Sequence, residues 1–185
     1  MIFKNLALFL MVATTLTSTF TLAMPAQVLI IRHAEKPEVG NGLSPKGFKR
    51  AKALVAYFKS NPAVTQFGTP VALFAMKPKD ETGSIRAIQT LTPLSTALSI
   101  NINADYFKND LDELIAKIAS TPQYNGKTVL ICWEHKIIPV MAQHFGVEPK
   151  PSEWLSTDFE TVYVINFLQN KFSSFKKLRE FNSDL

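Results

Sequence analysis

The stretch Gln27–Arg32, with the sequence QVLIIR, is a short apolar run that is followed at once by His33. Such a run, rich in β-branched side chains, is typical of a strand buried on both faces of a parallel sheet. Further runs of this kind are VALFA at residues 71–75, TVLIC at 128–132 and TVYVINF at 161–167. These four segments predict the strands of one sheet.

Helical patterns lie between these strands. Ser44 followed by Pro45 is a good start for a helix, because serine caps the first turn and proline suits its first position. Apolar residues then recur at helical spacing as far as Asn61. Further helices are predicted from Ser84, with Pro93 either kinking or starting that helix, from Asp110, and over residues 137–145. Alternating strands and helices predict a single α/β domain over residues 24–185 with a largely parallel sheet.

The N-terminus differs from the rest of the chain. Lys4 precedes an apolar segment at residues 6–16, and Ala23 ends a small-residue cleavage pattern. This arrangement predicts a signal peptide over residues 1–23 and a periplasmic or secreted product, with an uncleaved membrane anchor as the alternative. After cleavage we expect no stable membrane insertion. The single cysteine, Cys132, cannot form an internal disulfide and is expected to be buried.

The composition excludes several classes of protein. Of the 185 residues, 46% are hydrophobic and 19% are charged, which does not suit a disordered or fibrous chain. The formal charge is +5, but the lysines are scattered along the chain. We therefore expect no nucleic acid partner, and a moderate positive field that attracts anionic substrates. The densest basic cluster, at residues 171–179, is expected to be the solvated face of a terminal strand or helix.

Arginine and histidine residues, which can bind phosphate or attack its phosphorus, lie near the ends of the predicted strands. Arg32 and His33 end the first strand, His135 follows the third after two residues, and Arg86 lies near a helix start. Open α/β sheets bind ligands beyond the carboxyl ends of their strands, so these four side chains are expected to meet. Arginine forks match phosphate oxygens, and a neutral imidazole can attack phosphorus. A second histidine can donate a hydrogen bond to the transferring group.

Four segments extend this pattern along the chain. VLIIRHAEKP resembles the Arg-His-Gly signature of the histidine phosphatase, or phosphoglycerate mutase-like, superfamily (branch 1), and LSPKGFKRAKAL resembles its Leu-Ser/Thr-x-x-Gly helix start. SIRAIQTLTPL resembles its Arg-Ala-x-Gln-Thr segment, and TVLICWEHK resembles the strand that delivers its second catalytic histidine. The segments occur in the family's order over roughly residues 28–145, the context that a motif needs.

The resemblance implies a fold and a set of roles. The fold would be a three-layer sandwich, with a mixed, mostly parallel sheet between helices. His33 would be the phosphorylated nucleophile, Arg32 and Arg86 the phosphate clamps, and His135 the second histidine of the phosphate pocket. The resemblance implies no metal and no cofactor, and a phosphorylated small molecule or phosphoprotein as substrate.

Some positions depart from the family pattern. Ala34 replaces the usual glycine, and Trp133-Glu134 replaces the usual small residue before His135. The general acid is therefore left open between Asp110 and Glu134, with Asp105 as a weaker candidate. Trp133 is expected either to stack on a substrate or to pack in the core.

Three further residues are candidates for substrate binding. Glu35 and Lys36 are expected to line the substrate mouth or to form an exposed pair. Asn41 lies near the position of a phosphate-contacting asparagine in the family.

Three functions are compatible with these residues. The first is an exported phosphomonoesterase that works through phospho-His33. The others are a phosphomutase and a non-catalytic protein of the same fold that binds phosphate or phosphorylated ligands. Intact His33, His135, Arg32 and Arg86 favour the enzyme.

Overall fold

The computed structural model describes residues 23–179. The predicted signal peptide therefore lies outside the described residues, apart from Ala23. The described part contains six strands, four α-helices and one short 3₁₀ turn. The strands are β1 (Gln27–Arg32), β2 (Pro70–Ala75), β3 (Ile102–Asn103), β4 (Thr128–Trp133), β5 (Thr161–Leu168) and β6 (Lys171–Arg179). The helices are α1 (Pro45–Ser60), α2 (Arg86–Leu98), α3 (Leu111–Ala119) and α4 (Ile138–His144), and the 3₁₀ turn is Pro122–Tyr124.

All six strands belong to one mixed sheet in the order β3-β2-β4-β1-β5-β6. The four strands from β3 to β1 are parallel, and β5 and β6 are antiparallel to their neighbours. The predicted α/β class with a mixed, mostly parallel sheet is confirmed. The basic segment at residues 171–179 is the outer strand β6, with mostly exposed side chains.

The centre of the sheet is buried on both faces, as the apolar run of β1 predicts. Val28 and Ile30 of β1 pack in one core cluster with side chains of α3 and α4. Leu29 and Ile31 pack on the opposite face with side chains of α1 and α2. All four side chains are fully buried. Because successive strand residues point to opposite faces, this alternation produces three layers.

The predicted helix starts are only partly correct. Ser44 caps α1 as expected, since its hydroxyl accepts the Gly47 N–H at 3.1 Å. Ser84 does not cap α2, which begins at Arg86 without a side-chain cap and continues through Pro93. Asp110 occupies the N-cap position of α3, but its carboxylate accepts the Phe107 N–H at 2.9 Å instead of a helix N–H.

β4 is one residue longer than predicted and ends in the core. Trp133 has no exposed surface, and its indole N–H donates to the Lys108 carbonyl at 3.0 Å. Substrate stacking on Trp133 is therefore excluded, and its alternative role in core packing is confirmed. Cys132 is also buried, as predicted. None of the helices between residues 23 and 179 has the length and apolar character needed to cross a bilayer.

Gly47 lets α1 approach the segment that follows β1. A Cβ atom at this position would lie 2.4 Å from the Glu35 carbonyl oxygen, which is a backbone atom that cannot swing away. The glycine of the segment LSPKGFKRAKAL is thus needed for a close approach of two backbones. Its role is to place the start of α1 against the residues just after His33.

Replacing Gly47 tests this close packing. At an exposed position inside a helix, Gly→Ala raises the free energy of unfolding by up to about 1 kcal/mol. Here we expect Gly47→Ala to lower the free energy of unfolding by about 1–3 kcal/mol, because the methyl group overlaps the Glu35 carbonyl. Urea unfolding measures the change, with Lys49→Ala on the exposed side of α1 as the control. A Gly47→Ala protein as stable as the parent would contradict the close approach.

Candidate active site

The carboxyl ends of the central strands bring the predicted site residues to one edge of the sheet. β1 ends at Arg32 beside Trp133, the last residue of the parallel strand β4. The His33 N–H then donates to the Trp133 carbonyl at 3.2 Å, so this pairing continues one residue past the strand. His33 and His135 follow these paired ends on adjacent strands, as the parallel sheet predicted.

His33 is held in one tautomer. Its Nδ1 lies 2.8 Å from the Ala34 carbonyl oxygen. A carbonyl can only accept, so Nδ1 carries the proton and Nε2 is left with a free lone pair. The side chain is buried. Burial, and next the charges of Arg32, Arg86 and His135, lower the pKa of His33 to about 4, against the upward effect of the Ala34 hydrogen bond. The imidazole is therefore neutral at pH 7.

Arg32 is fixed by a segment that sequence analysis did not single out. Its guanidinium lies over the Phe159 ring at 3.8 Å, and Nη1 donates to the carbonyls of Ser156 and Asp158 at 2.6 and 3.2 Å. Its Nε is buried and has no hydrogen-bond partner among the described residues. Arg32 is thus held rigidly and keeps a donor for a ligand.

The residues from Ser156 to Phe159, which we call the strap, are fixed by Asp158. The Asp158 carboxylate accepts hydrogen bonds from the backbone of Glu160 and Thr161 and from the Thr161 hydroxyl. Burial raises the pKa of Asp158, but these hydrogen bonds outweigh it and keep the pKa below its usual value. The sequence signal was an aspartate just before a strong strand, where such turns are common.

Arg86 is held by the loop before α1. Its Nε donates to the Gly42 carbonyl at 3.0 Å, Nη1 to the Ser84 hydroxyl at 3.2 Å, and Nη2 to the Gly40 carbonyl. Each terminal nitrogen still has a second N–H. Asn41 lines a cavity together with Arg86, so the structure places this candidate beside the arginine.

Gln89 and Thr90 are the last two residues of the Arg-Ala-x-Gln-Thr segment. Their side chains accept hydrogen bonds from backbone N–H groups that lie outside α2. The Thr90 hydroxyl accepts the Ala34 N–H at 2.9 Å and donates to the Arg86 carbonyl at 2.8 Å. The Gln89 side chain accepts the Leu43 N–H at 2.8 Å. Thr90 thus joins the residue after His33 to the start of α2. Our sequence reasoning assigned no role to either side chain.

Glu134 adjoins the site but is strongly paired. Its Oε2 lies 2.9 Å from Lys108 Nζ, and its Oε1 lies 3.4 Å from His135 Nδ1. Burial raises the pKa of Glu134, but Lys108 more than offsets this, and the net pKa is below the usual value. The carboxylate is therefore ionised at neutral pH. Burial and the charge of Arg32 lower the pKa of His135, which favours its neutral form.

The other two carboxylate candidates are bound elsewhere. Asp110 accepts the Phe107 N–H, as described above, and Asp105 accepts a hydrogen bond from the Asn103 side chain at 2.9 Å. Among the contacts within residues 23–179, neither joins His33 or His135. The structure thus groups Glu134 with His135 and leaves Asp110 and Asp105 outside this contact network.

Glu35 forms a structural ion pair. Its carboxylate receives hydrogen bonds from Arg50 Nε and Nη2 at 2.9 to 3.1 Å, and its side chain is only 13% exposed. The expectation of an exposed pair with Lys36 is therefore wrong. Arg50 is itself buried on α1, so this pair joins the residue after Ala34 to the helix. Lys36 is exposed, and its predicted place at the substrate mouth stays a prediction.

The side chains around His33 suit an anion. Within residues 23–179 there is no group of three or more His, Cys, Asp or Glu side chains that could hold a metal ion. The side chains around His33 are instead two arginines and a second histidine. Such a set can bind a phosphate and offers a neutral imidazole nitrogen to it.

The lowered pKa of His33 predicts a pH-dependent stability. Between pH 6.5 and about 4, the unfolded chain binds a proton at His33 that the folded protein does not bind. We therefore expect stability to fall as the pH drops through this window, by up to about 3 kcal/mol from this residue. Urea unfolding of the parent and of His33→Asn at pH 7 and pH 4.5 measures it. An equal loss of stability in both proteins would contradict the burial of a neutral His33.

Comparison with solved structures supports the fold. No family model matches the chain, and no curated protein matches it in sequence. Solved structures do match. Alpha-ribazole phosphatase from Shigella flexneri is 12% identical, with a TM-score of 0.58, over 80% of this chain and 93% of that one. A phosphoglycerate mutase from Bacillus anthracis is 11% identical, with a TM-score of 0.57, over 83% and 92%.

A third structure, from Agrobacterium tumefaciens, is assigned to the phosphohistidine phosphatase SixA. It is 18% identical, with a TM-score of 0.51, over 83% of this chain and 99% of that one. At these identities the likeness concerns the fold, and it agrees with the resemblance that the four sequence segments indicated. The chain therefore has a phosphoglycerate mutase-like fold.

Proposed function

We propose that this protein is a phosphatase that hydrolyses phosphate monoesters through a phosphohistidine on Nε2 of His33. The observation that carries the proposal is the state of His33. It is buried, neutral, and fixed by Nδ1–H to the Ala34 carbonyl, so that Nε2 is the free nucleophilic nitrogen. Similar structures named as phosphatases support this function. The predicted signal peptide would take the enzyme to the periplasm or outside the cell.

The reaction has two displacements at phosphorus. In the first, the lone pair of His33 Nε2 forms the N–P bond as the bond from phosphorus to the ester oxygen breaks. The leaving alkoxide takes up a proton. In the second, water attacks the phosphohistidine, the N–P bond breaks, its electron pair returns to Nε2, and the water loses a proton. Two such steps replace one difficult hydrolysis.

The charges around His33 would stabilise the phosphoryl group during both steps. Arg32 offers its unpartnered Nε, and Arg86 offers the second N–H of its terminal nitrogens. His135 would donate to an equatorial oxygen. These groups are already held by the strap and by the loop at residues 40–42, so little reorganisation is needed during the reaction. Such preorganised donors commonly contribute the largest share of catalysis.

Removal of the nucleophile is the direct test. The mature protein should hydrolyse p-nitrophenyl phosphate, and His33→Ala should lower kcat by at least about a thousandfold. His144→Ala is the matched control, because His144 is an exposed histidine that pairs with Asp112. Brief incubation with labelled phosphate ester should also give an acid-labile phosphoprotein in the parent but not in His33→Ala.

The outcome also separates the alternative functions. Turnover that survives in His33→Ala would overturn the mechanism. Vanadate binding without any turnover would identify a phosphate-binding protein, and transfer to a second hydroxyl instead of water would identify a mutase. Mass measurement of the exported protein checks for cleavage after Ala23.

A further prediction concerns the side chain that donates a proton to the leaving group. An acid matters for an alkyl ester and little for p-nitrophenyl phosphate, whose leaving group is good, and it contributes about 10²–10⁴ in rate. Because Lys108 keeps Glu134 ionised, we expect Glu134→Gln to lower kcat/KM for both esters alike. Asp110→Asn and Asp105→Asn should change neither ester, because the hydrogen bonds found for both carboxylates lie away from His33 and His135.

The ratio of kcat/KM for the two esters is the measurement. A selective loss on glycerol phosphate in Glu134→Gln would show that Glu134 is the acid after all. A selective loss on glycerol phosphate in Asp110→Asn would identify Asp110 as the acid.

A further inference from the structure

A cavity of about 490 Å³ opens beside the candidate active site, between α4 and the segment before β5. This volume is within the range of small-molecule sites. It contacts the candidate site at two points. His135 lines it, and so does Ser156, whose carbonyl accepts a hydrogen bond from Arg32. The lining also includes Lys136, Val140, Lys150, Glu153, Trp154 and Leu155.

One part of the lining is apolar. Val140 comes from α4, and Trp154 and Leu155 come from the segment before the strap. Trp154 is buried and fixed, since its indole N–H donates to the Asp158 carbonyl at 2.9 Å. Leu155 is 69% exposed, so it is free to contact a ligand. An organic group bound here would cover this leucine against a rigid indole.

The other part of the lining is charged. Lys136 and Lys150 are exposed, and no ion pair is found for either ammonium group within the described part of the chain. Lys136 also acts on His135, since its charge helps to lower the pKa of that histidine. Glu153 is the one carboxylate of the lining, so the two lysines leave a net positive charge. A positive lining attracts a negative group on a ligand.

We propose that this cavity binds the leaving group of the substrate, and that this group has an apolar body and an anionic group of its own. The inference rests on the proposed phosphatase function, because it needs the ester phosphate at Arg32, His33 and Arg86. With the phosphate there, the rest of the molecule extends past His135 into the cavity. Its apolar body lies against Val140 and Leu155, and its anion, a carboxylate or a second phosphate, pairs with Lys136 and Lys150.

A pair of matched aryl esters tests this preference. Phenyl phosphate and 4-carboxyphenyl phosphate differ only in the added carboxylate. We expect kcat/KM to be higher for the carboxylated ester. An exposed ion pair contributes about 0.2–1 kcal/mol, so Lys136→Gln and Lys150→Gln should each reduce the ratio of the two kcat/KM values by about 1.4- to fivefold. The double variant should reduce it by about tenfold.

A control variant distinguishes the loss of a charge at the cavity from a general effect of replacing a lysine. Lys52→Gln on α1 removes an exposed lysine that does not line the cavity, and it should leave the ratio unchanged. Salt should also lower the ratio in the parent, because the screening length falls from about 10 Å at 0.1 M to about 3 Å at 1 M.

The apolar lining has its own variant. Leu155→Ser changes an exposed side chain, so it should fold normally. It should lower kcat/KM for both aryl esters. Inhibition by inorganic phosphate, which has no leaving group, should stay the same.

The outcomes distinguish the two proposals. Hydrolysis of phenyl phosphate with a ratio that the lysine variants do not change would overturn the leaving-group site and keep the phosphatase. Failure of the parent to hydrolyse either ester would overturn both. A ratio that falls in Lys136→Gln and Lys150→Gln, but not in Lys52→Gln, would support the site.

Discussion

The parallel pairing of β1 with β4 is the constraint on which the candidate site depends. The two strands are in register from Gln27 with Thr128 to Arg32 with Trp133, and one more hydrogen bond holds His33. Because parallel strands end at the same edge, the residues after each strand become neighbours. Helices cover both faces of this strand pair and exclude water from it. The edge of the sheet that carries His33 and His135 is therefore held rigidly.

A concentration of positive charge around a neutral histidine needs support from the rest of the fold. Arg32 is buried, which lowers its pKa, but the negative charges of Asp158, Glu134 and Glu35 act in the opposite direction. Each of these carboxylates is itself fixed by another group: Asp158 by the start of β5, Glu134 by Lys108, and Glu35 by Arg50. The three carboxylates thus stabilise the positive charge of Arg32, and each of them is held by another partner. The side chains around His33, which are Arg32, Arg86 and His135, still favour an anionic ligand.

Much of this arrangement follows from local sequence patterns. The apolar runs of β1 and β4, the Ser44 cap and the spacing of α1 determined where the main elements begin. His33 and Arg32 could be placed at a strand end because β1 is buried and short. The acid candidates could not be separated in this way. The charge on Glu134 depends on Lys108, whose side chain is distant in sequence and close only after folding.

The sequence by itself determined the α/β architecture, the order of its central elements, and the residue types that suit phosphate at one edge of the sheet. Periodicity and capping are local properties, so they can be read before the chain is folded. Only the tertiary structure decided which charges are paired. The strap reaches Arg32 from more than a hundred residues away in sequence. Trp133 turns into the core instead of towards a substrate, because β4 continues past Cys132 between helices on both faces. Such contacts depend on long-range packing, which local patterns do not encode.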